Sequence, residues 1–288
     1  MNKVAVMTDS VAAIPKELVE KYNIKVLPLR INVDGKYFLE TEVDREEILT
    51  RAWATGEIPK TSSPTPVEYL EAYRELSKRA ESILCITYSH NLGISFNSAT
   101  QAKQIAQGEL PQTKIAVVDS SADIGGQTLI VLEAAKAASE GRNFEDLIEL
   151  VNKRISEINW IVLFDTLDFI VKGGRGATAR SWQNSAITIK TIMELDASTG
   201  GKYTPLLKVR TKSQGKAKML EIMKERNKNR KFHAVVCFQK DVPEEAKELR
   251  EEISSQSHCA ELYAINPALV QAIHLGPGAL GLSWYSED

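Results

Sequence analysis

Residues 82–107 read S-I-L-C-I-T-Y-S-H-N-L-G-I-S-F-N-S-A-T-Q-A-K-Q-I-A-Q. The first seven, S-I-L-C-I-T-Y, are the near-continuous β-prone run expected of a strand buried on both faces. Beyond them Leu92, Phe96, Ala99, Ala102 and Ala106 recur at spacings of four, three, three and four, which is one face of a helix. The stretch predicts a buried strand over 82–88 feeding a helix over 91–107. A strand running straight into a helix is half of a βαβ unit.

The same alternation extends on both sides. Lys3 to Thr8 reads as a buried strand, and Pro15 opens a short helix to about Tyr22. Residues 24–33 are rich in β-formers and end in Asp34-Gly35, a hairpin turn signal. Helices follow over about 44–55 and 66–79, a strand over Lys114 to Val118, and helices over about 123–139 and from Phe144 to Ile155. Strands and helices in this order imply an α/β fold whose N-terminal part is a mostly parallel sheet with flanking helices. Three of its strands end in hydroxyl-rich clusters, T-D-S at 8–10, Y-S-H-N at 88–91 and D-S-S at 119–121. Ligands of open α/β sheets bind beyond the carboxyl ends of strands, so the clusters are expected to gather on one edge.

The second half differs. Trp160 to Phe164 is strand-like, and K-G-G-R-G at 172–176 is a basic glycine turn. Thr188 to Leu195 and Tyr203 to Val209 form a hairpin about S-T-G-G-K at 198–202. A helix over 212–227, a strand over 233–238, a helix over 243–254, a strand over 260–265 and a short final strand over 282–285 complete an α+β region with a mixed sheet. The boundary falls near residues 156–160, giving a two-domain reading of 1–157 and 158–288.

Composition excludes several classes. The chain has 288 residues, 43% hydrophobic and 26% charged, with a net charge of -2; no global field recruits nucleic acid or an anionic membrane. No apolar run approaches the roughly 18 residues of a membrane span, and Met1-Asn2-Lys3-Val4-Ala5-Val6 carries no secretory signal. Cys85, Cys237 and Cys259 form no C-x-x-C pair and read as reduced thiols of a cytoplasmic protein. His90, His233, His258 and His274 lack ligand spacing, so no metal is expected. There is no G-x-S-x-G elbow and no Walker A loop. G-P-G-A-L-G at 276–281 spells a dinucleotide fingerprint, but only seven residues follow it, too few for the helix and acidic residue such a site needs. No cofactor is implied.

Two clusters remain for binding. In K-T-S-S-P-T-P at 60–66, Thr65 caps the helix that Pro66 opens, which leaves Thr61 and Ser62 to hydrogen-bond an anion. In S-H-N-L-G-I-S-F-N-S-A at 89–99, a helix start carries Ser89, Asn91, Gly93 and Ser95, where unpaired N–H groups suit a carboxylate or phosphate. Ordinary capping accounts for any one of these hydroxyls, so a site requires the clusters to meet. His274, beside the terminal glycines, can donate to a carboxylate as a neutral ring. Lys172 to Arg175 reads equally as a solvated turn or as a face for phosphates or an acidic partner.

Taken together, T-D-S, K-T-S-x-P, S-x-x-L-x-x-x-x-x-S-A, V-D-S, K-G-G-R, K-V-R-T and H-x-G-P-G-A-L-G, in this order from Asp9 to Gly281, resemble the DegV family of bacterial fatty-acid-binding proteins, some of them acyl-carrier subunits of fatty acid kinases. The resemblance implies two α/β domains, a long-chain acid such as palmitate with its tail in an apolar tunnel, and, in kinase systems, a separate ATP-dependent subunit that phosphorylates it. It places the carboxylate at Thr61, with Ser62 beside it, and at His274, and assigns Arg210 to partner or head-group contacts. Arg175, in the K-G-G-R motif, joins it as a candidate for such contacts. The family's usual L-S-G-T is here Leu92-Gly93-Ile94-Ser95. The serine hydroxyl is gone, a loss of about 1.5–3 kcal/mol if it met a carboxylate. The backbone at Gly93 and Ile94 and the Ser95 hydroxyl remain as donors, while the Ile94 side chain is expected to crowd the head group. The leading reading is a non-catalytic fatty-acid-binding protein. The alternative is an enzyme acting on a small phosphorylated or carboxylated substrate through Asp9, Asp119 and Arg175; a sensor module is the third. Pocket shape separates them, a long dry tunnel favouring lipid and a small polar cleft favouring catalysis.

Overall fold

The computed structural model, which describes residues 4–183, 189–239 and 243–287, turns the apolar run at 82–87 into a strand buried along its whole length. In chain order the first half comprises β1 (Val4–Asp9), α1 (Lys16–Tyr22), β2 (Lys25–Leu27), β3 (Arg30–Val33), β4 (Lys36–Leu39), α2 (Arg45–Thr55), β5 (Thr61–Ser62), α3 (Pro66–Ser77), β6 (Ser82–Thr87), α4 (Ser95–Glu109), β7 (Lys114–Asp119), α5 (Ile124–Ser139) and α6 (Phe144–Glu157). The second half comprises β8 (Asn159–Phe164), α7 (Asp168–Lys172), β9 (Lys190–Glu194), β10 (Thr204–Val209), α8 (Lys212–Asn227), β11 (Phe232–Phe238), α9 (Pro243–Ser254), β12 (Cys259–Ile265), α10 (Leu269–Leu275) and β13 (Leu280–Ser286).

The fold is α/β. A four-stranded sheet in the order β2-β1-β6-β7 is parallel throughout. A six-stranded mixed sheet runs β10-β9-β8-β13-β11-β12, antiparallel except for the last pair. Helix α5 lies between them and contacts β1 on one side and β11 and β13 on the other. Twelve of its sixteen residues are buried, as expected of a helix that is apolar all round. One hydrophobic core therefore joins Val6 and Ile86 of the parallel sheet to Trp160 and Val235 of the mixed one.

Two local readings change. Residues 24–33 are not one strand: β2 ends before Pro28 and pairs with β1, whereas β3 joins β4 and β5 in a separate antiparallel sheet. The Asp34-Gly35 turn does close that hairpin, at φ +49° and +86°. Helix α4 begins at Ser95, not at 91. Residues 89–94 are held in a turn because the Ser89 Oγ donates to Gly201 O (2.7 Å) and Asn91 Nδ2 to Gly200 O (2.8 Å); tertiary bonds to the β9–β10 loop outweigh the helical period here. Strand β9 begins at Lys190, and Thr188 lies outside the described residues. G-P-G-A-L-G is, as expected, followed by a strand and not by a helix; it forms the turn between α10 and β13. Gly276 and Gly278 each sit at φ +74°, a backbone that other residues rarely adopt.

Candidate functional site

The carboxyl ends of β1, β6 and β7 lie side by side, because their pairing is parallel and in step. The three hydroxyl clusters therefore meet. Tyr88 N donates to Asp9 Oδ2 at 3.3 Å, His90 N to Asp119 Oδ1 at 3.3 Å, and Ser120 N to Thr87 O at 3.0 Å. Thr61 is brought to this edge by β5, which pairs with β3 through Ile31. His274 comes from α10, which packs on α2 and α7, and Arg175 from the turn after α7.

These last three converge. Thr61 Oγ1 lies 3.3 Å from His274 Nε2 and 3.4 Å from Arg175 Nη2. The guanidinium also donates to Leu92 O (3.2 Å) and Gly173 O (2.6 Å). Its hydrogen bonds go to neutral oxygens, and the Asp123 carboxylate acts on it through space. His274 is 9% exposed; burial, and secondarily Arg175, lower its pKa to about 3, so the ring is neutral at any physiological pH. Its Nδ1 is buried without a hydrogen-bond partner.

Beside them is a cavity of about 30 Å³, room for roughly two waters. Tyr88, Asp123, Arg175, Tyr203, Gln271 and His274 supply its polar wall; Leu29, Leu92, Ile170, Val270 and Leu275 supply the apolar one. Asp123 accepts from the Tyr203 hydroxyl at 2.7 Å, and burial raises its pKa to about 6. The apolar tunnel that the resemblance implies is not open here: the cavity is far too small for an acyl tail because Leu29, Leu92, Ile170, Val270 and Leu275 close it, so a long tail enters only by parting them.

The other candidates divide. Ser62 Oγ donates to Ser63 O (3.1 Å) beside Thr61. Ile94 does not crowd the head-group space: its side chain is 58% exposed, and its N–H is taken by Ser63 Oγ at 3.3 Å. The loop turns it outward because Gly93, behind it, packs against the Tyr88 ring. Ser95 is buried at the start of α4 and does not line the cavity; its hydroxyl faces Asp9, Tyr69 and Tyr88. Arg210 is exposed at the end of β10 and lines no part of the cavity either. Of Asp9, Asp119 and Arg175, only Arg175 faces it. Asp9 is sealed beneath Tyr88 and Gln127, and Asp119 is paired with His90. Thr65 caps α3 in a full capping box with Glu68. Sequence alone does not single out Tyr88, Asp123, Tyr203 or Gln271; the first belongs to a hydroxyl cluster, and the others carry no local signal.

Comparison with known proteins agrees with this architecture. A family model described as "Uncharacterised protein, DegV family" matches residues 3–287, and the chain belongs to that family. A DegV domain-containing protein of Listeria monocytogenes is 30% identical over 294 residues, covering 100% of both chains. Among solved structures, DegV of Bacillus subtilis, described as a fatty acid binding protein, is 27% identical, superposes with a TM-score of 0.85 and covers 100% of each chain. A DegV family protein of Thermus thermophilus, described by its fatty acid binding, has a TM-score of 0.90 at 24% identity, covering 99% of this chain and 100% of its own.

Proposed function

We propose that this DegV-family protein binds a long-chain fatty acid, with the carboxylate at Arg175, Thr61 and His274 and the tail among the apolar residues of the adjoining wall. One observation carries the reading: a half-buried guanidinium and a neutral imidazole meet on a single threonine hydroxyl, next to a cavity half walled by aliphatic side chains. An anion there gains charge-assisted bonds from a cation that, among the described residues, hydrogen-bonds no carboxylate. Each methylene buried behind it contributes roughly 0.8 kcal/mol. What the B. subtilis and T. thermophilus relatives are described as binding fits this chemistry.

The finer parts belong to the same proposal. The protein is a carrier, not a catalyst, and requires no cofactor. Its bound acid, palmitate or another of similar length, is offered to an ATP-dependent kinase subunit in the cytoplasm, with Lys172 and Arg210 on the exposed side. Among the described residues no helix is long and apolar enough to cross a membrane. The chain divides at 157/158, with the parallel sheet before the division and the mixed sheet after it. The test is native mass spectrometry of protein purified without delipidation, followed by identification of the extracted lipid. One long-chain acid per chain is the expected result; only empty chains, from cells supplied with fatty acid, would overturn it.

A further inference from the structure

Gly93 stands where an ordinary residue cannot. A Cβ built on it would overlap the Tyr88 hydroxyl oxygen and lie 2.8 Å from Cζ and 3.0 Å from Cε2 of that ring, closer than real Cβ atoms come to carbon. The ring cannot swing aside cheaply, since Tyr88 is 5% exposed and belongs to the main core. Its hydroxyl is fixed as well. It lies 2.7 Å from Ser63 Oγ, and Ser63 Oγ in turn accepts from Ile94 N at 3.3 Å. With the serine oxygen accepting from the backbone, the serine hydrogen is free to point at Tyr88. The tyrosine hydrogen then has two directions open to it, the Ser95 hydroxyl and the cavity shared by Arg175 and His274, which Tyr88 lines.

We propose that the Tyr88 hydroxyl is a head-group donor of this protein, occupying the space that a side chain at position 93 would need, and that Gly93 is the residue that admits it. The relay runs from Ile94 N–H through the Ser63 and Tyr88 hydroxyls to the ligand oxygen; each link polarises the next. Burial raises the Tyr88 pKa to about 12, so the hydroxyl remains a donor across the physiological range. The hydroxyl that position 93 lacks is thus supplied from the strand side. Because the donor is held by Ser63, the site favours a charged carboxylate over an uncharged oxygen.

This inference rests on the fatty-acid reading, and the experiment separates the two. Oleate and oleyl alcohol are titrated into delipidated full-length protein as wild type, Tyr88→Phe, Thr61→Ala, Gly93→Ser and Tyr88→Leu/Gly93→Ser, with melting temperatures recorded. Tyr88→Phe is expected to weaken oleate roughly ten- to a hundredfold, the loss of one hydrogen bond to a charge, and the alcohol several-fold less. Gly93→Ser is expected to lower both oleate affinity and melting temperature. The double variant, which makes room for the serine and returns a hydroxyl, is expected to recover most of the oleate affinity. Tyr88→Phe binding oleate as wild type does, while Thr61→Ala weakens it roughly tenfold or more, would overturn the role of Tyr88 and leave the fatty-acid reading standing. Equal weakening of oleate and alcohol would make Tyr88 only a wall, which also overturns the proposal. Wild type taking up neither ligand would remove both readings.

Discussion

Replacing Asp9 with asparagine should stabilise the protein at pH 8 by clearly more than at pH 5. Asp9 is fully buried at the end of β1. Its carboxylate accepts from Tyr88 N and from Gln127 Nε2 (3.1 Å), but among the described residues it has no cationic partner. Burial is the dominant influence and raises its pKa from 3.8 to about 7. A folded-state pKa above the unfolded value means that the folded chain holds the extra proton between these two limits. The stability this confers is present in full below pH 3.8 and is lost as pH rises through about 7. Every pH unit between the two values is worth about 1.4 kcal/mol, so roughly 4 kcal/mol separates the two ends of the window. Asparagine does not titrate and keeps the shape of the protonated acid. Its amide displaces one acceptor, but Gln127 Oε1 is buried without a partner, so a flip of the glutamine amide can receive the new N–H. Urea unfolding of both proteins at pH 5, 6, 7 and 8 gives the difference directly. Asp123, with its pKa raised to about 6, and His274, with its pKa lowered to about 3, titrate in both and cancel. The variant's advantage should grow with pH by about 1.4 kcal/mol per unit at its steepest. A difference curve flat from pH 5 to 8 would show that Asp9 is not held neutral by burial, and the account of this strand end would fail.

Thr61→Val is close to isosteric and removes the oxygen on which Arg175 and His274 converge. Oleate affinity should fall roughly tenfold or more with little change in melting temperature; calorimetric titration showing less than about a twofold change would argue against the site. Gly173→Ala puts a methyl against the His274 ring, overlapping Nδ1 and 2.9 Å from Cε1, with Phe169 O also 2.9 Å away. It should cost both affinity and stability, the latter by about 1–3 kcal/mol as for other overpacked sites, and wild-type behaviour in both measurements would mean His274 has room that the structure does not show.

The parallel sheet is legible in the sequence because its signals are strong and local: β6 is a continuous apolar run, and β1 and β7 are similar short β-prone runs, each followed by a helix. The meeting of three hydroxyl clusters follows from parallel pairing alone. What escapes depends on contacts between segments far apart in the chain. Helix α10 is seven residues long and entirely buried, so it shows no polar face from which a period could be read. The helical period puts the start of α4 four residues early because Leu92 fits the helical face, while the bonds that hold it in a turn come from Gly200 and Gly201, over a hundred residues away. Arg175 reads as half of an exposed basic turn. Its guanidinium is in fact directed inward by Leu92 O and Gly173 O, which no spacing reveals. Tyr88 reads simply as the last residue of a strand, and its relation to Gly93 exists only in the folded chain.

The inward turn of Arg175 alters how an acid would be held. Neutral donors alone would suffice, and the sequence motifs assign the carboxylate to those, leaving Arg175 a candidate for partner or head-group contacts. With His274 neutral, the wall beside the cavity carries the positive charge of Arg175, which has already lost much of its water and is opposed through space by the Asp123 carboxylate above its pKa of about 6. Binding an anion there relieves part of a desolvation cost that the folded protein already bears. The tail contributes differently. Some fifteen methylenes would supply roughly 12 kcal/mol before the work of parting Leu92, Ile170, Val270 and Leu275 is subtracted, several times what any single head-group bond gives. Affinity is therefore set chiefly by the tail, and orientation by the head: a reversed ligand would bury its carboxylate among aliphatic side chains and leave Arg175 facing hydrocarbon. Head-group substitutions should accordingly loosen the choice between acid and alcohol more than they abolish uptake of a long chain.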